Sequence, residues 1–106
     1  MSKYLIRGNY VGDGIAGLLA QGGTAREAAA RAAVESVGGS MDAMYYAFGD
    51  TDVYGIADLP SPAAATAVSL MINSSGRVTV NLTPLMTPAE VDEASAMSPT
   101  YTPPGG

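Results

Sequence analysis

Residues 41–59 read MDAMYYAF-GDTD-VYGIADL, two strand-like segments around a short polar connection. The flanking segments, 41–48 and 53–59, contain the aromatic and aliphatic residues that strands favour, whereas the glycine and aspartates of residues 49–52 favour a turn. Two strands joined by so short a connection pair antiparallel. The pattern therefore predicts a β-hairpin in the middle of the chain.

The sequence before the hairpin predicts a strand and a broken helix. Residues 4–11 have the composition of a strand, and Asp13 is a candidate N-cap for a short helix that ends at two consecutive glycines. Thr24 and Glu27 have the spacing of a capping box, so we expect a second helix to begin there.

The sequence after the hairpin predicts a helix, a strand and a final helix. Ser61 and the proline after it mark a helix start, and residues 61–76 contain no charged residue. Residues 77–83 alternate between polar and apolar side chains, as in a half-buried strand. Thr87 and Glu90 have the spacing of another capping box.

The resulting order is β-α-β-β-α-β, with the first helix broken and a helix added at the end. This order predicts the α+β ferredoxin-like plait, with a four-stranded antiparallel sheet. We expect one domain over residues 1–97 and an extended, proline-rich tail over residues 98–106.

Composition excludes several classes of function. The chain has 106 residues, with 10 acidic and 5 basic ones, and its net charge is −5. Without a basic block, we expect neither nucleic acid nor a membrane surface as a partner. Histidine and cysteine are absent, which excludes the common nucleophilic triads and soft metal sites, so we expect no cofactor and identify no catalytic constellation.

The low charge content predicts self-association. Charged residues make up 14% of the chain, against about 25% in an average globular domain. A small domain exposes much of its surface, so we expect another copy of the chain to cover part of it. No secretory or membrane-spanning segment is recognisable, and we expect a cytoplasmic location.

The segment from Gly12 to Gly17 matches the dinucleotide-binding pattern G-x-G-x-x-G. We consider nucleotide binding the weakest hypothesis, because the following strands form a hairpin and do not continue a parallel sheet. A glycine-rich turn between a strand and a helix is the simpler interpretation.

Charged side chains supply three further candidates for a site. Asp50 and Asp52 are close in the hairpin turn, where paired carboxylates could act as acid and base, although aspartates also favour turns for local hydrogen bonding. Arg26 lies in the first turn of its helix, where a cation opposes the helix dipole. This misfit is compatible with a ligand-facing role or with an ordinary solvated side chain.

Aromatic residues supply the remaining candidates. Tyr10, Tyr46 and Phe48 could line a pocket between the sheet and the helices, although simple packing is the favoured explanation for such aromatic residues. The opposite sheet face would mix Leu5 with Arg7 and Asn9, a composition that suits docking against another sheet.

The sequence resembles the GYD domain family over nearly its whole length. The residues that carry the resemblance are KYLIRGNY at 3–10, Gly38-Gly39, YAFGDTDV at 46–53, DLP at 58–60 and TPLMTPAE at 83–90. Thr51 stands where the family has its name-giving tyrosine. The resemblance implies a ferredoxin-like fold related to dimeric α/β-barrel proteins, and it implies no particular mechanism.

Two hypotheses about function follow. The first is a homo-oligomeric protein, a dimer or higher, that acts as a non-catalytic binding or assembly module. The alternative is a small enzyme or small-molecule binder that uses a cavity between sheet and helices, with Arg26, the aspartates and the tyrosines as its candidates.

Overall fold

The computed structural model of the protein describes residues 1–106 and consists of four strands and four helices. In chain order these are β1 (Ser2–Tyr10), α1 (Gly14–Gln21), α2 (Gly23–Glu35), β2 (Ser40–Tyr46), β3 (Val53–Leu59), α3 (Pro62–Ser74), β4 (Val78–Pro84) and α4 (Pro88–Ala96). The strands form one sheet in the order β2-β3-β1-β4, and every neighbouring pair is antiparallel. The predicted ferredoxin-like plait is therefore confirmed.

The central hairpin pairs β2 with β3, from Tyr46 opposite Val53 to Ser40 opposite Asp58. Strand β2 ends two residues before the predicted position. The Ala47 and Phe48 N–H groups both donate to the Asp52 carbonyl, at 2.8 and 3.3 Å, and this arrangement closes the turn.

The start of α2 differs from the predicted capping box at Thr24. Helix α2 begins at Gly23, no side chain caps it, and Thr24 lies within its first turn. Gly22 separates α1 from α2 with a φ of 88°, a conformation that glycine adopts at little cost. The helix start is thus set by the backbone freedom of Gly22.

Asp13 precedes α1 as predicted, but its side chain makes no capping hydrogen bond, whereas the predicted caps at Ser61 and Thr87 are confirmed. The Ser61 side chain accepts a hydrogen bond from the Ala64 N–H at 3.1 Å, and proline occupies the first turn of α3. In α4, Thr87 and Glu90 cap each other's backbone N–H groups at 3.1 and 3.0 Å.

The core lies between one face of the sheet and helices α2 and α3. Its buried cluster consists of Tyr4, Val34, Met41, Ala57, Leu59 and Ala65. Every second residue of β3, from Val53 to Leu59, is buried on this side, which we call the inner face. Helix α3 packs through Ala65 and Val68, and leaves Leu70 and Met71 67% and 73% exposed.

No helix covers the opposite side of the sheet, which we call the open face. Helix α4 has no buried residue, and residues 97–106 after it are exposed and contain neither helix nor strand. None of the helices is long and apolar enough to cross a membrane.

Candidate functional site

A cavity of about 110 Å³ lies between the inner face of the sheet and helices α2 and α3. Its floor includes Gly8 of β1 and Gly55 of β3, at positions where an inner-face strand residue would normally project a side chain into the core. Alanines of α2 line the opposite wall at positions 29, 30 and 33. Small residues on both sides therefore leave this space open.

The two glycines differ in what a side chain would meet. A Cβ atom on Gly8 would lie 2.9 Å from the Val53 Cγ1 atom, so packing explains that glycine. A Cβ atom on Gly55 would meet only ordinary contacts, at 3.4 Å or more from Met41 and Ala43. Neighbouring atoms do not require a glycine at position 55, and its absent side chain enlarges the cavity.

The cavity is lined almost entirely by apolar groups, and Arg26 is the only charged residue that lines it. The Arg26 guanidinium contacts the Gln21 side-chain oxygen at 3.3 Å and forms no ion pair with any carboxylate of the chain. Tyr10 also lines the cavity. Two of the six predicted site residues are thus brought to one cavity.

Tyr46 lies beside Arg26 and Tyr10, which form the polar end of the cavity. Its hydroxyl donates to the Gly23 carbonyl at 2.9 Å, which joins β2 to the start of α2. Burial raises the pKa of Tyr46 to about 12, and a hydrogen bond with the neighbouring Tyr10 phenol adds to the effect. The phenol is therefore a neutral hydrogen-bonding group over the ordinary pH range.

Phe48 stacks on Tyr46 outside the cavity. The two rings are nearly parallel, 7° apart, with 5.6 Å between their centroids. Phe48 is also the one non-glycine residue with a positive φ, 53°, which is an unfavourable conformation for an aromatic residue. Tyr46 and Phe48 line a separate surface groove of about 390 Å³ with Leu18 and Leu19. The three residues expected to form one pocket thus lie at two neighbouring places. Tyr10 lines the cavity, and Tyr46 and Phe48 line the groove.

The two aspartates of the turn do not form an acid–base pair. The Asp52 carboxylate accepts from the Tyr10 N–H at 2.8 Å, and the Asp52 N–H donates to the Asn9 side chain at 2.9 Å. Asp50 is exposed and accepts no hydrogen bond from another side chain. Asp52 therefore ties the hairpin turn to the end of β1, as aspartates in turns commonly do. No three carboxylates of the chain lie close enough to hold a metal ion.

The glycine-rich segment also has a structural explanation. Gly12 has a φ of 53°, and a Cβ atom on Gly14 would collide with the Arg77 carbonyl oxygen. These two glycines allow the chain to turn from β1 into α1 beneath the start of β4. β1 and β2 are parallel but separated by β3, so the sheet lacks the adjacent parallel strands of a dinucleotide-binding β-α-β unit.

Sequence reasoning missed the small residues that create the cavity and the aromatic row on the open face. Gly55 could have been flagged as a glycine inside a strand, a pattern that marks the close approach of another group. Tyr45 and Tyr54 pair across β2 and β3 on the open face, and only the strand register brings them together.

The fold and the site define a class: a ferredoxin-like α+β domain with a small apolar cavity on one side of its sheet and no cover on the other. The sequence profile of the GYD domain matches residues 4–95, so the chain belongs to the GYD domain family. No curated protein and no solved structure matches the chain.

Proposed function

We propose that the protein is a homo-oligomeric, non-catalytic assembly module whose copies associate through the open face of the sheet. The observation that carries this proposal is an uncovered sheet face with apolar and aromatic residues at its centre. On this face Tyr45 is 74% exposed and Ile56 is 38% exposed. Large exposed apolar patches on soluble proteins usually mark contact surfaces.

The strand register arranges the open face in rows. One row runs across all four strands as Tyr45, Tyr54, Arg7 and Asn81, and the next runs as Ala43, Ile56, Leu5 and Thr83. The apolar and aromatic members lie on β2, β3 and β1, and the polar members are Arg7 on β1 and the two residues of β4. A second sheet can pack on the apolar part, while the polar side chains fix its position.

Charge supports a second copy as the occupant of this face. Lys3 lies between Asp42 and Asp58, with nitrogen-to-oxygen distances of 2.6 and 2.7 Å, and these hydrogen bonds raise the pKa of its ammonium group. Arg7 is the other base within the strands on this face, so the two bases and two acids of the strands cancel. The chain as a whole has a charge of −5. Two copies therefore meet least repulsion when they approach through their open faces.

The exposed area supports association as well. The accessible surface is 6847 Å², whereas a compact monomer of this mass exposes about 5,500 Å². The excess of about 1,300 Å² is larger than the ~800 Å² that one subunit buries in an interface of standard size. The radius of gyration is 16.9 Å, against about 13 Å for a compact chain of this length.

Residues 85–106, which we call the C-terminal arm, are exposed throughout and contribute to this excess. The arm leaves the sheet where the Leu85 N–H donates to the Lys3 carbonyl at 2.9 Å. Between the first residues of the arm and the open face lies a groove lined by Lys3, Ile56, Met86 and Glu90, among others. The arm thus begins beside the open face and is placed to contact a copy that docks there.

Two charge insertions test which surface associates. Ile56→Glu places an unpaired carboxylate at the centre of the open face, whereas Ala67→Glu places one on the exposed side of α3. We expect Ile56→Glu to weaken self-association at least tenfold in sedimentation, and Ala67→Glu to change it little. The reverse result would move the interface to α3, and it would contradict this proposal.

The cavity supports a second candidate function, the binding of a small molecule. Apolar lining, a single unpaired cation and adjacent phenols are the usual composition of a small-ligand site. This function does not compete with assembly, because the cavity and the open face lie on opposite sides of the sheet.

A further inference from the structure

We infer that the cavity binds a small monocarboxylic acid whose apolar body is no larger than a benzene ring, with its carboxylate held by Arg26. This inference rests on the second candidate function, the binding of a small molecule, and is independent of self-association. It follows from the size of the cavity, from the residues that keep it open and from the position of its one charge.

The size of the cavity limits the apolar body of the ligand. Its volume is about 110 Å³, somewhat below the ~150 Å³ of an apolar protein cavity known to bind benzene. A single ring or a short branched hydrocarbon is therefore the largest group that fits without a major rearrangement. Side chains such as Ile6, Val68 and Val80 surround it and offer no hydrogen bonds.

The sequence keeps this space open at a cost to stability. Glycine inside a strand weakens the strand, and Gly55 occupies a central strand although its neighbours leave room for a side chain. Ala30 and Ala33 of α2 face the same space. A larger residue at any of these three positions would fill part of the cavity with apolar contacts, so the small size of these residues leaves the volume open.

The charge of the cavity determines the class of ligand. Arg26 lies in the first turn of α2, where the helix dipole disfavours a cation, and no carboxylate of the chain neutralises it. A guanidinium group pairs well with a carboxylate, through two parallel hydrogen bonds. A bound carboxylate would offset both the missing ion pair and the unfavourable helix end.

Neutral donors lie at the same end of the cavity. Tyr10 lines the cavity, and Tyr10, Arg26 and Glu27 all lie close enough to the Tyr46 phenol to perturb its ionisation, although Glu27 does not line the cavity and forms no ion pair with Arg26. The polar groups thus converge at one end, and the apolar lining occupies the rest. This division matches a ligand with one charged end and one hydrocarbon end.

Calorimetric titration with benzoate and with benzyl alcohol tests the inference. The two probes share a ring, and only benzoate has a carboxylate. We expect benzoate to bind at least tenfold more tightly than benzyl alcohol to the full-length protein, as a charge-assisted pair provides. Arg26→Gln should remove this preference. Arg77→Gln, which removes an exposed arginine outside the cavity lining, should preserve it.

A second variant tests the location of the site. Ala33→Leu places a larger side chain on the wall of the cavity, and benzoate binding should fall at least tenfold while thermal unfolding shows that the variant remains folded. If Ala33→Leu does not fold, chemical shifts locate the site. Benzoate should then change the chemical shifts of Gly8 and Gly55 in the unmodified protein, and these changes should be lost in Arg26→Gln.

The possible outcomes test the carboxylate assignment, the binding function and the role of Arg26 separately. Equal affinity for benzoate and benzyl alcohol overturns the carboxylate assignment and leaves the cavity as a site for neutral molecules. Failure of both probes to bind at millimolar concentration overturns the assignment and the binder function together. Benzoate binding that persists in Arg26→Gln overturns the role of Arg26. Sedimentation without ligand reports on self-association separately from each of these results.

Discussion

Gly14 and Gly17 lie in the same short helix, α1, and have opposite surroundings. A Cβ atom on Gly14 would collide with the Arg77 carbonyl oxygen, whereas a Cβ atom on Gly17 would meet nothing within 4 Å. We expect Gly14→Ala to lower the free energy of unfolding by about 1–3 kcal/mol, and Gly17→Ala to raise it by about 0.5–1 kcal/mol through helix propensity. Urea denaturation of both variants checks this. A stabilising Gly14→Ala would contradict the packing described here.

Tyr46 should be recognisable by its titration. Burial and the hydrogen bond with Tyr10 raise its pKa to about 12, against 10 in an unfolded chain. The folded state therefore holds this proton more tightly, so the stabilising contribution is complete below pH 10 and is lost as the pH rises from 10 to 12. Ultraviolet titration of the folded protein should show a tyrosine ionising near pH 12, and Tyr46→Phe should abolish that step. An unchanged titration curve in Tyr46→Phe would refute the assignment.

Single residues also show where prediction from the sequence reached its limit. Arg26 could be singled out because a cation at a helix start is unusual, and the structure places it on the wall of the cavity. Gly55 could be flagged as a glycine inside a strand, but its contribution to the cavity depends on its facing the alanines of α2, which only the structure shows. Asp52 was recognised as a turn residue, but its bond to the Tyr10 N–H needs the contact between the hairpin and β1.

The helix starts were predicted correctly from the sequence where short-range capping patterns specify them. The caps at Ser61 and Thr87 are short-range hydrogen-bond patterns, and both are present as expected. The α2 start was misplaced because the capping-box pattern at Thr24 competes with the backbone freedom of Gly22 two residues earlier. The absence of tertiary cover on α4 could not be predicted, because a local sequence pattern does not determine what a helix packs against.

In the proposed assembly, we expect helix α4 to pack against another copy of the chain. It has nine residues and no buried side chain, and isolated helices of this length are marginal in water. We expect removal of residues 87–106 to weaken self-association by tenfold or more. Removal of residues 98–106 alone should have a smaller effect, because it retains α4.

Sedimentation of the two truncated proteins over a range of concentrations measures this difference. Far-UV circular dichroism provides the control, since loss of an exposed arm should leave the sheet signal intact. Equal self-association of the full-length protein and the protein lacking residues 87–106 would show that the arm takes no part in the interface.

The whole molecule combines a small core with a large exposed surface. The core is confined to one side of the sheet, and the other side, the outer side of α3 and the arm all remain exposed. Low charge content made this arrangement predictable in outline. The sequence could not show which surface the proposed assembly would use, because the choice rests on the register that places Tyr45, Tyr54 and Leu5 together.

Sedimentation equilibrium of the untagged, full-length protein at micromolar concentration tests whether the molecule is an assembly at all. We expect a species of at least twice the chain mass of 10.7 kDa. With its open face and arm uncovered, the chain exposes more surface than a compact monomer of this mass. A single species of 10.7 kDa over the whole concentration range would contradict it.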